Sequence, residues 1–192
     1  VGHGAAVSAS NRYPDVPPQP NLPDIERDVL DRWGRCDILV NGAGVNSATP
    51  FLDVGDEEYE RIMAVNTRSV FRACQVFGRH FIDHGVPASI INVGSMSGVT
   101  AISRVFVYSM SKAAVHNLSK NLAREWATRG IRVNTVVPGF FPAEQNRKVL
   151  TKERVESIMN GTPMRRYGEP DELIGALLLL CSPTAGRFIT GT

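Results

Sequence analysis

Asp37-Ile38-Leu39-Val40-Asn41 runs directly into Gly42-Ala43-Gly44. Consecutive large aliphatic residues over so short a run, with no polar alternation, mark a strand covered on both faces. The glycines that follow end the strand and leave backbone open to close approach. The same grammar recurs: Ser89–Val93 closes at Gly94-Ser95, and Arg132–Val137 closes at Pro138-Gly139. Ala6–Ser10 is a further candidate strand.

Helical segments alternate with these runs. Pro23–Trp33 ends at Gly34, and Asp56–His84 carries Tyr59, Ile62, Met63, Val70, Phe71, Cys74, Phe77 and Phe81 at helical spacing. Tyr108–Thr128 stops at Gly130, and Glu144–Asn160 is mixed and polar, helical in parts. Glu169–Cys181 places Pro170 where a first turn tolerates it. This alternation predicts an α/β fold on a parallel sheet. Such sheets bind ligands beyond the carboxyl ends of their strands. Asn41–Gly44, Gly94-Ser95 and Pro138-Gly139 should therefore converge on one edge.

Composition excludes several classes. With 192 residues, 43% hydrophobic and 21% charged, the chain has the make-up of one soluble globular domain. A net charge of +2, with basic residues scattered, gives no nucleic-acid footprint. The apolar run Leu173–Cys181 is far too short to span a bilayer, so no membrane is expected. Cys36, Cys74 and Cys181 are odd in number and lack metal-like spacing, as in reduced cytoplasmic proteins. His80 and His84 stand one turn apart without a third ligand, so no metal is expected.

Chemistry concentrates in Tyr108-Ser109-Met110-Ser111-Lys112. A Tyr and a Lys at i and i+4 share a helix face. An ammonium beside a phenol favours the phenolate, which suits proton exchange at a carbonyl or alcohol. Ser95, just past a strand, offers a hydroxyl for the same oxygen. Taken singly, the pair also reads as a solvated helix face and the serine as turn chemistry.

Together these pieces resemble the short-chain dehydrogenase/reductase family over essentially the whole chain. Asn41-Gly42-Ala43-Gly44 is similar to its Asn-Asn-Ala-Gly segment, and Asn66 in Val65-Asn66-Thr67 to the helix asparagine of its catalytic tetrad. Ser95 lies thirteen positions before Tyr108, the family interval, and Tyr108-x-x-x-Lys112 matches the family signature. Arg132-Val133-Asn134 and Pro138-Gly139 resemble its sixth strand and the turn near the nicotinamide.

The resemblance implies a Rossmann-like doubly wound parallel sheet in three layers (α/β/α), one domain over 1–192. It implies an NAD(P)-dependent oxidoreductase interconverting a secondary alcohol and a ketone. Tyr108 would be the acid/base, Lys112 would assist it and bind the nicotinamide ribose, and Ser95 would hold the substrate oxygen. Asn66 would distort its helix and serve a proton relay to Lys112. Gly42, Ala43, Gly44, Pro138 and Gly139 would line the cofactor with Asn41. Asn11-Arg12 ends the strand that reads the adenosine ribose, with Asp15 and Val16 near the adenine. Asn11 stands where NAD enzymes usually carry an acid, and Arg12 suits a 2′-phosphate, so NADP is favoured over NAD. Arg12 stacking on adenine or facing solvent is the other reading.

The residues after Pro138-Gly139 fall in the family's substrate lid, here 140–168. Gln145, Asn146 and Arg147, with Arg104 before Tyr108, offer hydroxyl- and carboxylate-binding chemistry. Phe140-Phe141-Pro142-Ala143-Glu144-Gln145-Asn146-Arg147, with Arg165–Pro170 downstream, resembles the mannonate/gluconate (sugar-acid) oxidoreductase branch. A sugar acid or polyol is thus the expected substrate. The alternatives are a 3-oxoacyl-thioester reductase and a non-catalytic nucleotide-binding scaffold. The family also implies a homotetramer. The family's first strand with its glycine-rich loop, a helix between Arg12 and Asp15, and a last strand are not represented in the sequence, which implies a longer natural chain.

Overall fold

Three parallel strands carry the sheet in the computed structural model, which describes residues 21–141 and 152–192. They are β1 (Ile38–Asn41), β2 (Ala88–Val93) and β3 (Ile131–Val136), in spatial order β1-β2-β3. Their register pairs Asn41 with Asn92 and Val93 with Val136, so the strands end together at one edge. The expected strand Ala6–Ser10 lies outside the described residues.

Helix α1 (Leu22–Trp33) is capped at both ends: the Asn21 side chain accepts the Asp24 amide, and Gly34 adopts φ 69° to close on the Leu30 carbonyl. The long helical pattern over Asp56–His84 resolves into α2 (Asp56–Met63), a widened π-turn (Ala64–Arg68) and α3 (Ser69–Asp83). Three acids in the first turn of α2 suit its helix N-terminus. Helix α4 (Phe106–Trp126) starts two residues before the sequence expectation, which puts Tyr108 in its first turn. A short 3-10 turn and Gly130 at φ 76° lead it into β3. Helix α5 (Lys152–Gly161) covers the described part of the mixed segment.

The single helix expected over Glu169–Cys181 is instead a 3-10 turn (Pro170–Leu173) followed by α6 (Ile174–Cys181). Glu169 and Glu172 cap each other's backbone at its start, and Arg166 forks onto Glu172. That pairing holds the Glu172 carboxyl down to about 2.

Helices cover both faces of the sheet. On one face Leu39, Ile90, Ile131 and Val133 pack against Val70, Phe77 and Phe81 of α3 and Val115 of α4. On the other, Ile91 and Val136 meet Leu180 of α6. A polar row crosses the first layer: Asn41 donates to Asn92 Oδ1 at 2.8 Å, Asn92 to Ser119 Oγ at 2.8 Å, and Ser119 to the Val115 carbonyl at 2.8 Å. Each buried polar group there has a partner, so the row fixes strand-to-helix register without a desolvation penalty. The last residues lie along the outer edge of β3, where Gly191 donates to Val133 and Thr135 donates to Thr192. Asn134 and Arg132 reinforce that edge through the Ile189 and Ser182 carbonyls.

Candidate active site

The carboxyl ends of β1 and β2, the π-turn and the first turns of α4 meet at one point. Asn66, fully buried at the centre of the π-turn, makes the first junction. Its Oδ1 accepts the Val45 amide at 2.8 Å, and its Nδ2 donates to the Val45 carbonyl at 2.9 Å and to Ser111 Oγ at 2.9 Å. The Ser111 hydroxyl donates to the Tyr108 carbonyl at 2.7 Å. Asn66 thus ties the loop after β1 to the turn that carries Tyr108. The widened helical turn accommodates this side chain, whose partners all lie outside its own helix.

Lys112 makes the second junction. Its ammonium is buried, donates to the Val93 carbonyl at 2.8 Å and lies 5.8 Å from the centre of the Tyr108 ring. Burial pulls the ammonium down to about 8. Gly44 sits over both groups: a Cβ there would stand 3.4 Å from Lys112 Nζ and 3.6 Å from Asn66 Oδ1.

Ser95 makes the third. It opens a short 3-10 turn (Met96–Gly98) at the end of β2. Its Oγ accepts from the Ser97 amide at 3.2 Å and the Ser97 hydroxyl at 3.0 Å. With those lone pairs engaged, its own O–H is available to donate to a bound oxygen. The Ser95 amide donates to His116 Nε2 at 3.2 Å. The Met96 amide donates to the Pro138 carbonyl at 3.3 Å, which brings the Pro138-Gly139 turn against the Ser95 turn.

The structure therefore brings Asn66, Ser95, Tyr108 and Lys112 together with Gly42, Ala43, Gly44, Pro138 and Gly139. The Asn41 side chain is buried, donates to Asn92 and lies against Cys74, which leaves its backbone for the cofactor role expected of it. The reason is the two-residue period of the strand, which puts Asn41 on the same face as buried Leu39. Arg104 is exposed before α4 at φ 67°, a left-handed conformation uncommon for a side-chain-bearing residue. Asn11, Arg12, Asp15, Val16, Gln145, Asn146 and Arg147 lie outside the described residues. The two ends of 140–168 touch: Gly168 donates to the Phe140 carbonyl at 2.9 Å, and a Cβ on Gly168 would stand 2.5 Å from the Phe141 ring.

Sequence reading missed Ser111, Ser97 and His116. Ser111 lies inside the Tyr-Lys motif, and His116 is one turn beyond Lys112 on the same helix face. Spacing was therefore a usable signal for both. Val45 carried none, because its backbone alone takes part.

The residues present fit a nicotinamide nucleotide. Exposed Gly42, Gly44 and Gly139 leave backbone open at the strand ends, and a Cβ on Gly139 would meet nothing within 4 Å. Beside them stand a buried ammonium and a hydroxyl donor, and helices and strands rather than long loops hold both.

Comparison with known proteins agrees. Residues 6–192 match the family described as enoyl-(acyl carrier protein) reductase. An uncharacterized oxidoreductase, UxuB, of Bacillus subtilis is 33% identical over 99% of this chain and 74% of its own length. Galactitol 2-dehydrogenase (L-tagatose-forming) of Cereibacter sphaeroides is 42% identical over 80% of this chain and 61% of its own. The chain thus spans only part of these relatives. A gluconate 5-dehydrogenase from Burkholderia cenocepacia, solved with NADP and tartrate, superposes with a TM-score of 0.83 at 33% identity, over 88% of this chain and 66% of its own. Fold, strand-end geometry and sequence likeness lead to one conclusion: the chain belongs to the short-chain dehydrogenase/reductase family of NAD(P)-dependent oxidoreductases.

Proposed function

We propose that the protein interconverts a secondary alcohol and a ketone on a sugar acid or polyol, with NADP favoured over NAD. The observation that carries this reading is the continuous hydrogen-bonded set Val45–Asn66–Ser111–Tyr108, closed by Lys112 on Val93 and by Ser95 at the end of the same strand. A nucleotide-binding scaffold has no need to bury a lysine and an asparagine beside a tyrosine. The relatives named for galactitol and gluconate support a polyhydroxylated substrate.

When bound, the nicotinamide supplies or accepts the hydride. The chain's own residues manage the proton and the oxygen. The Ser95 hydroxyl donates to the substrate oxygen, where negative charge develops during reduction. The Tyr108 hydroxyl gives that oxygen its proton in reduction and takes it back in oxidation. Lys112 holds positive charge beside Tyr108, which favours release of the phenolic proton. Asn66 fixes the turn that carries Tyr108. Arg12 would pair with a 2′-phosphate, and Asn11, Asp15 and Val16 would serve the adenosine side, as the family resemblance implies. Arg104, with Gln145, Asn146 and Arg147 of the lid 140–168, recognises hydroxyl and carboxylate groups.

We further propose that the protein works as a cytoplasmic homotetramer. Three free cysteines fit a reducing compartment. Exposed Phe71 of α3 and Phe106 and Met110 of α4, with Phe51 against Phe106, offer apolar surface for a second copy. No described helix is long and apolar enough to cross a membrane.

A reaction screen at the nicotinamide absorbance tests the activity. It pairs NADP or NAD with mannonate, gluconate, galactitol, their keto partners and a 3-oxoacyl thioester. Turnover of a sugar acid or polyol with NADP is the expected result. Turnover confined to the thioester would replace the substrate assignment, and binding of nucleotide without any turnover would favour a scaffold.

A further inference from the structure

His116 lies outside the Asn66–Ser95–Tyr108–Lys112 set, yet it holds the only side-chain bond to the Ser95 amide among the described residues. Its ring projects from α4 into the turn after β2. Glycines bracket it there: a Cβ on Gly94 would collide with Nε2, and one on Gly98 would stand 2.9 Å from Cε1. Gly94 thus makes room chiefly for the imidazole, and Gly98 for the imidazole and the α4 backbone at Ala113. Nε2 accepts a hydrogen bond from the Ser95 amide, so the ring is neutral with its own proton on Nδ1. Three bonds then fix Ser95: His116 on its amide, and the amide and hydroxyl of Ser97 on its Oγ.

We propose that His116 is a positioning residue for Ser95, its neutral Nε2 anchoring the amide of the turn that aims the Ser95 hydroxyl at the substrate oxygen. The proposal rests on the dehydrogenase reading above. Protonation would remove the acceptor and set an N–H against an N–H, so the anchor fails when the ring is charged. Burial, Lys120 and Lys112 all disfavour that charge and push the imidazole down from its ordinary value. Both lysines are on α4 itself; the Gly94–Gly98 turn, which faces the ring, and Thr135 of β3, which also crowds Gly94, bring no titratable group. The anchor is therefore kept across neutral pH and lost on the acid side.

The test uses the full chain and the variants His116→Leu, which fills the space without an acceptor, and His116→Gln, whose Oε1 reaches a comparable point. Backbone amide exchange at Ser95, read by NMR, needs no substrate. It should quicken in His116→Leu and stay near wild type in His116→Gln; an unchanged rate in His116→Leu overturns the anchor. In turnover, His116→Leu should lower kcat about tenfold with nucleotide affinity unchanged, and His116→Gln should recover most of it. Placed in a Ser95→Ala background, His116→Leu should cost little more, since both act through one hydroxyl. A full tenfold loss in that background would show that His116 acts elsewhere and would overturn the proposal. The acid-side fall of kcat in wild type should move to lower pH in His116→Gln, and an unmoved limb would contradict the protonation account. If wild type turns over no substrate in the screen, the dehydrogenase reading fails, and the amide-exchange arm decides the anchor alone.

Discussion

Asn66 grips Val45 at both backbone groups, accepting its amide at 2.8 Å and donating to its carbonyl at 2.9 Å. A side-chain amide bonded this way acts like a short length of neighbouring strand. It locks the loop beyond Gly44 to the π-turn, and through Ser111 to the turn of Tyr108.

Replacing Asn66 by Ala leaves the Val45 amide and carbonyl unpaired and removes the donor to Ser111 Oγ. Leaving such groups unpaired costs about 2 to 3 kcal/mol. Urea unfolding should show that loss, with kcat reduced far more than nucleotide affinity. A variant of wild-type stability would mean that water replaces the clamp at no cost.

Lys112 makes stability depend on pH. Its folded value, about 8, lies below the ordinary 10.5, so between these limits the unfolded chain binds more protons. The burial cost is therefore present in full at pH 7 and relieved as pH rises through that window. Relative to Lys112→Met, the apoprotein should gain roughly 3 kcal/mol from pH 7 to pH 10.5. A flat difference between the two proteins would contradict the buried ammonium.

Gly78 faces Trp126 so closely that a Cβ would stand 2.5 Å from the indole Cη2 and 2.9 Å from Cζ3. Alanine in a helix interior gains up to about 1 kcal/mol over glycine, but overpacking a rigid ring costs about 1–3 kcal/mol. Gly78→Ala should therefore be destabilising, and Trp126→Leu in the same chain should relieve it. Equilibrium unfolding reads both; a more stable Gly78→Ala would show that α3 and α4 part freely.

The proposed tetramer predicts a light-scattering mass of about four chains. Introducing a charge at Met110 or Phe71, both exposed, should shift that mass downward without unfolding the subunit. A monodisperse single-chain mass for the wild type would remove the assembly.

How much of this was legible in the sequence follows from which forces act locally. The strands were readable because uninterrupted aliphatic runs ending at glycine or proline have few other uses. Tyr108, Lys112 and Ser95 were readable through spacing. A helix distortion at Asn66 was expected from the family resemblance, but its cause was not legible, since it depends on Asn66 reaching Val45, a partner twenty-one residues away that contributes only backbone. The side-chain role of Asn41 was not legible, because strand alternation turns it to Asn92 in the core. The apolar run Leu173–Cys181 buries only Leu180 fully among the described residues, and Ile174, Leu178 and Leu179 are exposed. Hydrophobicity there announced a covered surface without saying what covers it.

The central claim is that Tyr108 exchanges the proton with the substrate oxygen. Tyr108→Phe removes one oxygen and leaves the helix and the ring in place. Turnover should fall by about a hundred- to ten-thousandfold, the range lost when a general acid–base group is removed, while nucleotide binding by calorimetry stays within about twofold of wild type. A Tyr108→Phe enzyme that keeps most of its kcat would contradict the account.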